Sequence, residues 1–466
     1  MGKRERGMDD RLTKRVTLVV VTLAAFITPF GGSSVNIALP SIGKEFSMDA
    51  ISLGWVSTAY LLASAVSLMP SGRIADIYGR KMIFTCGITV FTAASFLMVL
   101  CRSAAMLICF RIVQGIGGAM IFGNGVALLT SVFPAEERGK ALGVNVAAVY
   151  TGLSVGPFLG GLLTLHFGWR SIFWVNVPLG LLVIGLVSFR LRGEWAEASG
   201  EEFDLTGSII YCLGLIAMMY GFSSFSRLGA IVSLGLILAG VFGILVFIRW
   251  EMGIRSPILD INLFRGNRAF IFSNLAALIN YSATFAITFF LSLYLQYLKN
   301  LNPQSAGMIL MFQPMMMAIG SPFAGRLSDR VEPQFVASAG MALTAVGLFL
   351  LAFLNTNTPL GCIVAVLVLI GMGFALFSSP NTNAVMSSVE KRYYGVASGT
   401  LGTMRLTGQM FSMGIAMLIF AIHIGHSQIT PEYYRLFLRS MRSAFALFGL
   451  LCSGGVFASL ARGRLR

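Results

Sequence analysis

Residues 143–161 read GVNVAAVYTGLSVGPFLGG. Inside one apolar run, glycines stand at Gly143, Gly152, Gly156, Gly160 and Gly161, and Pro157 follows Gly156. Each glycine in a helix interior costs roughly 1 kcal/mol relative to alanine, and a proline about 3 kcal/mol. A helix that carries so many must gain something in return. In a membrane the gain is close backbone approach to a neighbouring helix, with a bend at the Gly-Pro pair. The stretch therefore predicts a packed transmembrane helix in a protein whose parts move.

The rest of the chain agrees with that class. Of 466 residues, 56% are hydrophobic and only 11% are charged, a balance that leaves too little polar surface for a soluble protein. Apolar runs of about 20 residues, the length that crosses a ~30 Å hydrocarbon core, recur from one end to the other. They are continuous rather than alternating, which excludes a β-barrel. The formal charge of +15 is concentrated in short loops, where it sets topology rather than binding nucleic acid. The first run, residues 16–39, is too long for a signal-peptide core and is followed by no small-residue cleavage site, so it is expected to be a retained span. The six cysteines form no CxxC pair and are expected to be unreactive thiols buried in apolar surroundings.

The expected fold is an all-α polytopic membrane protein of fourteen spans. They fall near 16–39, 51–70, 82–101, 106–131, 141–165, 171–190, 205–225, 229–250, 269–297, 304–324, 334–354, 359–383, 395–422 and 440–461. Twenty-four Lys and Arg residues lie in the N-terminal segment and every second loop, against eight in the other loops, so both termini are expected in the cytoplasm. An internal repeat is visible. GRIAD at 72–76 matches GRLSD at 325–329, and Gly87 matches Gly340 at the same offset; Gly115 and Gly117 match Gly371 and Gly373. The organisation follows: a cytoplasmic N-terminal segment (1–15), a six-helix bundle (16–190), a cytoplasmic linker (191–204), an extra hairpin (205–250), a cytoplasmic loop (251–268), a second six-helix bundle (269–461) and a tail (462–466). Two repeats of this kind place a substrate path at their interface.

The sequence GRIADIYGRK, with Gly72, Arg73, Asp76, Gly79, Arg80 and Lys81, resembles the loop signature of the major facilitator superfamily. RIVQGIGG, with Arg111, Gln114, Gly115 and Gly118, looks like the family's second signature. The glycine ladder resembles that of its antiporter branch. NIALPSI, WVSTAYLL and GWRSIFWVNVPLG are similar to the fourteen-span drug:proton antiporters of the multidrug resistance type. The resemblance implies two six-helix bundles with an inserted two-helix hairpin, and efflux by alternating access. It implies that the GRIADIYGRK loop is a cytoplasmic latch, engaged when the cavity opens outward and loosened when Asp76 is protonated. A weaker copy stands at Gly325, Arg326 and Asp329. It also implies a role for Arg111 in proton transfer or in tuning a carboxylate.

Residue chemistry adds detail. Asp76 is expected near the start of the third helix, where the dipole favours a carboxylate, with Arg80 one turn on. Gly72 is expected to let its loop lie tight against a neighbour. Arg111 and Arg405 are cations inside apolar runs and must face the bundle interior or a wet cavity. The resembled family often carries an acid in the first span; here Gly31 and Gly32 stand there, and none of the 19 carboxylates falls at mid-membrane. Neutral or anionic amphiphiles therefore suit the cavity better than dications. Asn280, Tyr281, Phe285 and Phe289 of the ninth span, with Met308, Met311, Gln313 and Met315 of the tenth, are candidate lining residues. No phosphate-binding loop, HExxH or nucleophile–base pair is present, so neither nucleotide, metal or other cofactor nor enzymatic chemistry is expected. The expected partners are the bilayer, a small amphiphile and protons. Two alternatives stay open: a proton-independent uniporter or metabolite/anion exporter, and a non-transporting sensor or scaffold of transporter descent.

Overall fold

The computed structural model describes residues 3–191, 193–328, 330–390 and 393–463. Among them are 14 helices long and apolar enough to cross a membrane. These are α1 (Leu12–Phe46, the greater part of a helix that begins at Lys3), α2 (Ala50–Tyr78), α3 (Arg80–Val99), α4 (Ala104–Val132), α5 (Glu137–Phe167), α6 (Arg170–Arg190) and α7 (Leu205–Ser223). After them come α8 (Phe225–Glu251), α9 (Arg268–Leu298), α10 (Pro303–Ser328), α11 (Pro333–Ala352), α12 (Leu360–Ser387), α13 (Tyr394–His423) and α14 (Pro431–Ala461). Several helices outrun the apolar stretches that announce them. α2 continues through the polar residues 71–78 before Gly79, at φ 126°, stops it. A helix satisfies its own backbone, so nothing obliges it to end where the hydrocarbon ends. The even number of spans puts both ends of the bundle on one face, termed here the terminal face; the opposite face is the distal one.

The sequence repeat is a repeat of packing. In the first half α1 lies along α5 and also meets α4 and α6, α2 lies along α4, and α3 lies along α4 and α6. Each of these pairs recurs eight spans later: α9 with α13, α12 and α14, α10 with α12, and α11 with α12 and α14. The repeated glycines mark the closest crossings. A Cβ on Gly87 would stand 3.0 Å from the Gly117 carbonyl, and one on Gly340 would stand 2.6 Å from the Gly373 carbonyl. Small residues let backbones touch where lipid offers no hydrophobic drive to association. The fold is thus two six-helix bundles, with α7 and α8 packed on each other between them in sequence. α7 braces both bundles: Tyr211 donates to the Ala65 carbonyl of α2 at 3.0 Å, and Phe222 meets Phe411 of α13 edge-on at 6.4 Å.

The glycine ladder divides along α5. At its terminal-face end Gly143 is exposed, and an added Cβ would meet nothing within 4 Å. Further along, a Cβ on Gly152 would stand 2.5 Å from the Phe26 carbonyl of α1. One on Gly156 would collide with Ser33, and one on Gly160 would sit 2.7 Å from Ser34 Cβ. Gly161 turns to the other bundle, against the Pro303 backbone of α10, and Gly307 of α10 packs on the Pro157 carbonyl. The helix runs unbroken through Pro157. Among the cysteines, Cys101 and Cys452 are buried, but Cys86, Cys109 and Cys362 lie on the outer surface that lipid would cover, which corrects the expectation of uniform burial.

Gly152→Ala is expected to destabilise the bundle by about 1–3 kcal/mol, the usual result of overpacking, whereas Gly143→Ala should be neutral or slightly stabilising. Melting of the two variants in detergent distinguishes them; equal melting temperatures would contradict the packing described.

Candidate functional site

The loop signature is clasped by residues of its own half. Asp76 lies in the last turn of α2, not at the start of α3 as expected, because α2 runs on to Tyr78. Asp76 Oδ1 accepts from Arg80 Nε at 2.9 Å and from Nη2 at 2.8 Å. The same guanidinium grips Glu197 of the linker in two-pronged fashion, at 2.6 and 2.9 Å, and donates to Ser131 of α4 at 2.7 Å. Glu194 accepts from the backbone N–H groups of Lys81 and Met82 and so caps α3; a Cβ on Gly79 would strike it. Lys81 Nζ donates to the Leu191 carbonyl at 2.6 Å, and Arg73 pairs with Glu201 at 2.5 Å. Gly72 does not make the close approach expected of it, since an added Cβ meets nothing within 4 Å. In the weaker copy Gly325 lies against Ser379 and Arg326 is exposed, while Asp329 lies outside the described residues.

Arg111 is 2% exposed and held inside the first bundle. Its Nε donates to the Val56 carbonyl at 2.9 Å, its Nη1 to Gln114 Oε1 at 2.5 Å, and its Cζ stands 4.4 Å above the Tyr60 ring centroid. Gln114 in turn donates to Ser95 at 2.9 Å. A carbonyl dipole and a ring face, rather than a carboxylate, offset the desolvation of this cation. Arg405 of α13 is half-buried and differently placed. Its Nη2 donates to Thr382 Oγ1 at 2.8 Å, its Cζ lies 5.7 Å from the Tyr281 ring centroid, and its Nε has no hydrogen-bond partner.

Other expected lining residues separate in the structure. Tyr281 is half-buried beside Arg405 and meets Phe374 edge-on at 5.2 Å. Asn280 is fully buried and neither of its amide atoms is bonded. Gln313 is buried in α10 where Gly371 of α12 crosses its carbonyl. Phe289 is not a lining residue: it is locked with Phe290 and Phe420 in the aromatic core of the second bundle. Met308 is 42% exposed. The two glycines at the missing acid differ. Gly31 faces Asn176 Nδ2, 3.3 Å from an added Cβ, while one at Gly32 meets nothing within 4 Å.

The two bundles interlock at the distal face. Asp49 Oδ2 and His426 Nδ1 are 2.8 Å apart, Gln428 donates to the Ser47 carbonyl at 2.9 Å, and the Ala50 N–H donates to the Ser427 carbonyl at 3.1 Å. One layer deeper, Ser292 and Gln296 of α9 donate to the Asn36 and Ile37 carbonyls of α1 at 2.7 and 2.9 Å. Farther toward the terminal face, Tyr150 and Ser378 meet across the seam at 3.5 Å. Sequence reasoning missed this distal clasp and the glutamates of the linker. Loop residues carry no periodicity to flag them, and only the 191–204 segment showed a signal, its acidic content beside a basic loop.

Two repeated six-helix bundles facing each other across a seam, interlocked at one face, are the architecture of a secondary transporter. The chain belongs to the Major Facilitator Superfamily, whose profile matches residues 21–413. It is 29% identical to the riboflavin transporter RibZ of Clostridioides difficile over 96% of this chain and 97% of that one. It is 30% identical to the multidrug resistance protein Stp of Mycobacterium tuberculosis over 87% and 75% of the two chains. Its fold is similar to that of a bacterial homologue of the human lysosomal transporter Spinster, with TM-score 0.66 at 16% identity over 97% of each chain. It is an integral membrane transporter, acting on small molecules.

Arg80→Gln should free the linker, so that limited proteolysis cuts within residues 191–204 several-fold faster than in the parent. Hydrogen bonding from Ser256 and then Arg73 holds the Glu201 carboxyl below its ordinary range. A lowered carboxylate pKa stabilises the native state above the unfolded value of ~4.3, and that contribution is lost as pH falls through the lower folded value. The Arg73 contact should therefore persist at pH 5, with faster cleavage by an acid-active protease only below about pH 4; linker release already at pH 6 would contradict it.

Proposed function

We propose that the protein is a multidrug-type efflux antiporter of the cell membrane, exporting neutral or anionic amphiphiles in exchange for protons by alternating access. The observation that carries the choice of cargo is the charge of the interior, where Arg111 and Arg405 stand and the sequence supplies no carboxylate at that depth. Exchange for protons rests on the resemblance of the loop signature and the glycine ladder to those of antiporters. A cation entering such a cavity finds no counter-charge, whereas a neutral or anionic body does not need one. Relatives named for riboflavin transport and for multidrug resistance support a small, largely aromatic cargo and export.

The positive-inside rule supports reading the terminal face as cytoplasmic, and on that reading the interlocked distal face is the outer one. In this arrangement Asp76 and Arg80 are tied to the linker and α4 rather than to the second six-helix bundle. In the outward-open state the same loop would clasp the second half, and protonation of Asp76 would weaken it. The interior's lack of an acid favours a second reading, a proton-independent uniporter or metabolite/anion exporter of the same fold.

Purified protein in liposomes, loaded with a neutral aromatic dye under an imposed pH gradient, tests the first reading against the second. Flux that follows the gradient supports antiport, flux indifferent to it supports the uniporter, and no flux from a folded protein removes both. Two variants add detail. Asp49→Cys with His426→Cys, joined by a short bis-methanethiosulfonate linker, should stop transport until a reductant is added. Gly32→Asp, at a site with room for the side chain, should confer transport of a lipophilic cation dye that the parent does not move; a tolerated variant without that gain would count against the charge argument.

A further inference from the structure

Arg405 differs from Arg111 in having unused capacity at the seam. α13 turns Gly402 to the first bundle, where an added Cβ would lie 3.3 Å from Phe122 of α4 and 3.7 Å from Leu68 of α2. It turns Gly408 onto α9, 2.6 Å from the Leu278 carbonyl. At about 100° per residue, position 405 falls between these two directions. It therefore lies at the edge where the two bundles face each other, about 16 Å along α13 from its terminal-face end.

The surroundings of the guanidinium are hydroxyls and rings rather than acids. Thr382 Oγ1 accepts from Nη2 and itself donates to the Ser378 carbonyl at 2.8 Å. Tyr281 presents its ring, Phe374 backs that ring, and Tyr150 approaches Ser378 from the opposite bundle. The Nε is buried without a partner. An orphan donor on a charged group removed from water is costly. Nε and Nη2 form one edge of a planar fork that matches a carboxylate, sulfonate or phosphate. Arg111, by contrast, gives its Nε to the Val56 carbonyl and its Nη1 to Gln114. Arg73, which also keeps a buried Nε without a partner, already has its charge paired with the Glu201 carboxylate. Among the described residues Arg405 has neither a filled Nε nor a carboxylate partner.

We infer that Arg405 is the anchor for an acidic group of the transported molecule, whose aromatic or apolar body lies against Tyr281, Phe374 and Tyr150. The inference rests on the exporter reading and narrows it from neutral or anionic amphiphiles to aromatic anions held from the second bundle. When the bundles rock, Tyr150 on the first bundle and Arg405 on the second change their separation, so a ligand touching both senses the state of the seam.

The test uses three probes of one shape: 1-pyrenecarboxylate, 1-pyrenemethanol and 1-pyrenemethylammonium. Binding is titrated by fluorescence on the full chain in zwitterionic phosphatidylcholine nanodiscs. The parent should bind the carboxylate about ten- to a hundred-fold more tightly than the ammonium compound, the value of a charge-assisted hydrogen bond. Arg405→Gln should remove that preference, Arg405→Lys should keep part of it, and Arg405→Glu should invert it, with folding checked by melting. An unchanged order and ratio of affinities in folded Arg405→Gln overturns the anchor, and so does the absence of carboxylate binding by the parent up to its solubility. Should Arg405→Gln leave the preference intact while pyrenemethanol still crosses liposomes, the anchor falls and the exporter stands. Should none of the probes cross under any gradient, the exporter falls, and the nanodisc affinities still decide the anchor.

Discussion

Everything in this fold depends on how closely α5 approaches its neighbours. In lipid no hydrophobic drive holds helices together, so contact between backbones supplies the association. Gly152, Gly156 and Gly160 bring α5 onto α1, and Gly161 with Gly307 brings α5 onto α10 of the other bundle. One run of small residues thus builds the interior of one half and seals it against the other. Its terminal-face end, at Gly143, is free. The ladder is thus tight over its distal half, where it meets α1 and then α10, and makes no close contact at its terminal-face end.

The two interior arginines illustrate a second constraint, that a buried cation must be compensated. They meet it in opposite ways. Arg111 is compensated inside its own bundle by a carbonyl, an amide and a ring, so it ties α2 to α4. Arg405 is compensated only in part, by Thr382 and the Tyr281 ring, and lies on the seam. A cation held in the first way stiffens a half, whereas one with an unused Nε is available to a ligand. The linker shows the same economy at the terminal face, where Glu194, Glu197 and Glu201 answer the basic residues of the α2–α3 loop from the far end of the same half.

The class of the protein was legible from composition and run length, because a bilayer imposes length and polarity on each span independently of its neighbours. The repeat was legible because glycines at backbone crossings, such as Gly87 with Gly117 and Gly340 with Gly373, cannot drift without breaking the crossing. Helix ends were less legible, as α2 shows by running to Tyr78. The expected lining was only partly legible: Phe289 and Tyr281 are the same kind of residue eight positions apart, yet one is core and one borders the seam.

What the sequence by itself determined was the set of spans, their pairing into two related halves, and the presence of cations without acids in the interior. Those follow from local composition and spacing, which a bilayer reads one helix at a time. Which of the glycines touch a neighbour, which arginine keeps an unused donor, and at which face the halves interlock were decided only by the tertiary structure. Each depends on the rotation of one helix against another, and that rotation is set by the packing of all its neighbours at once.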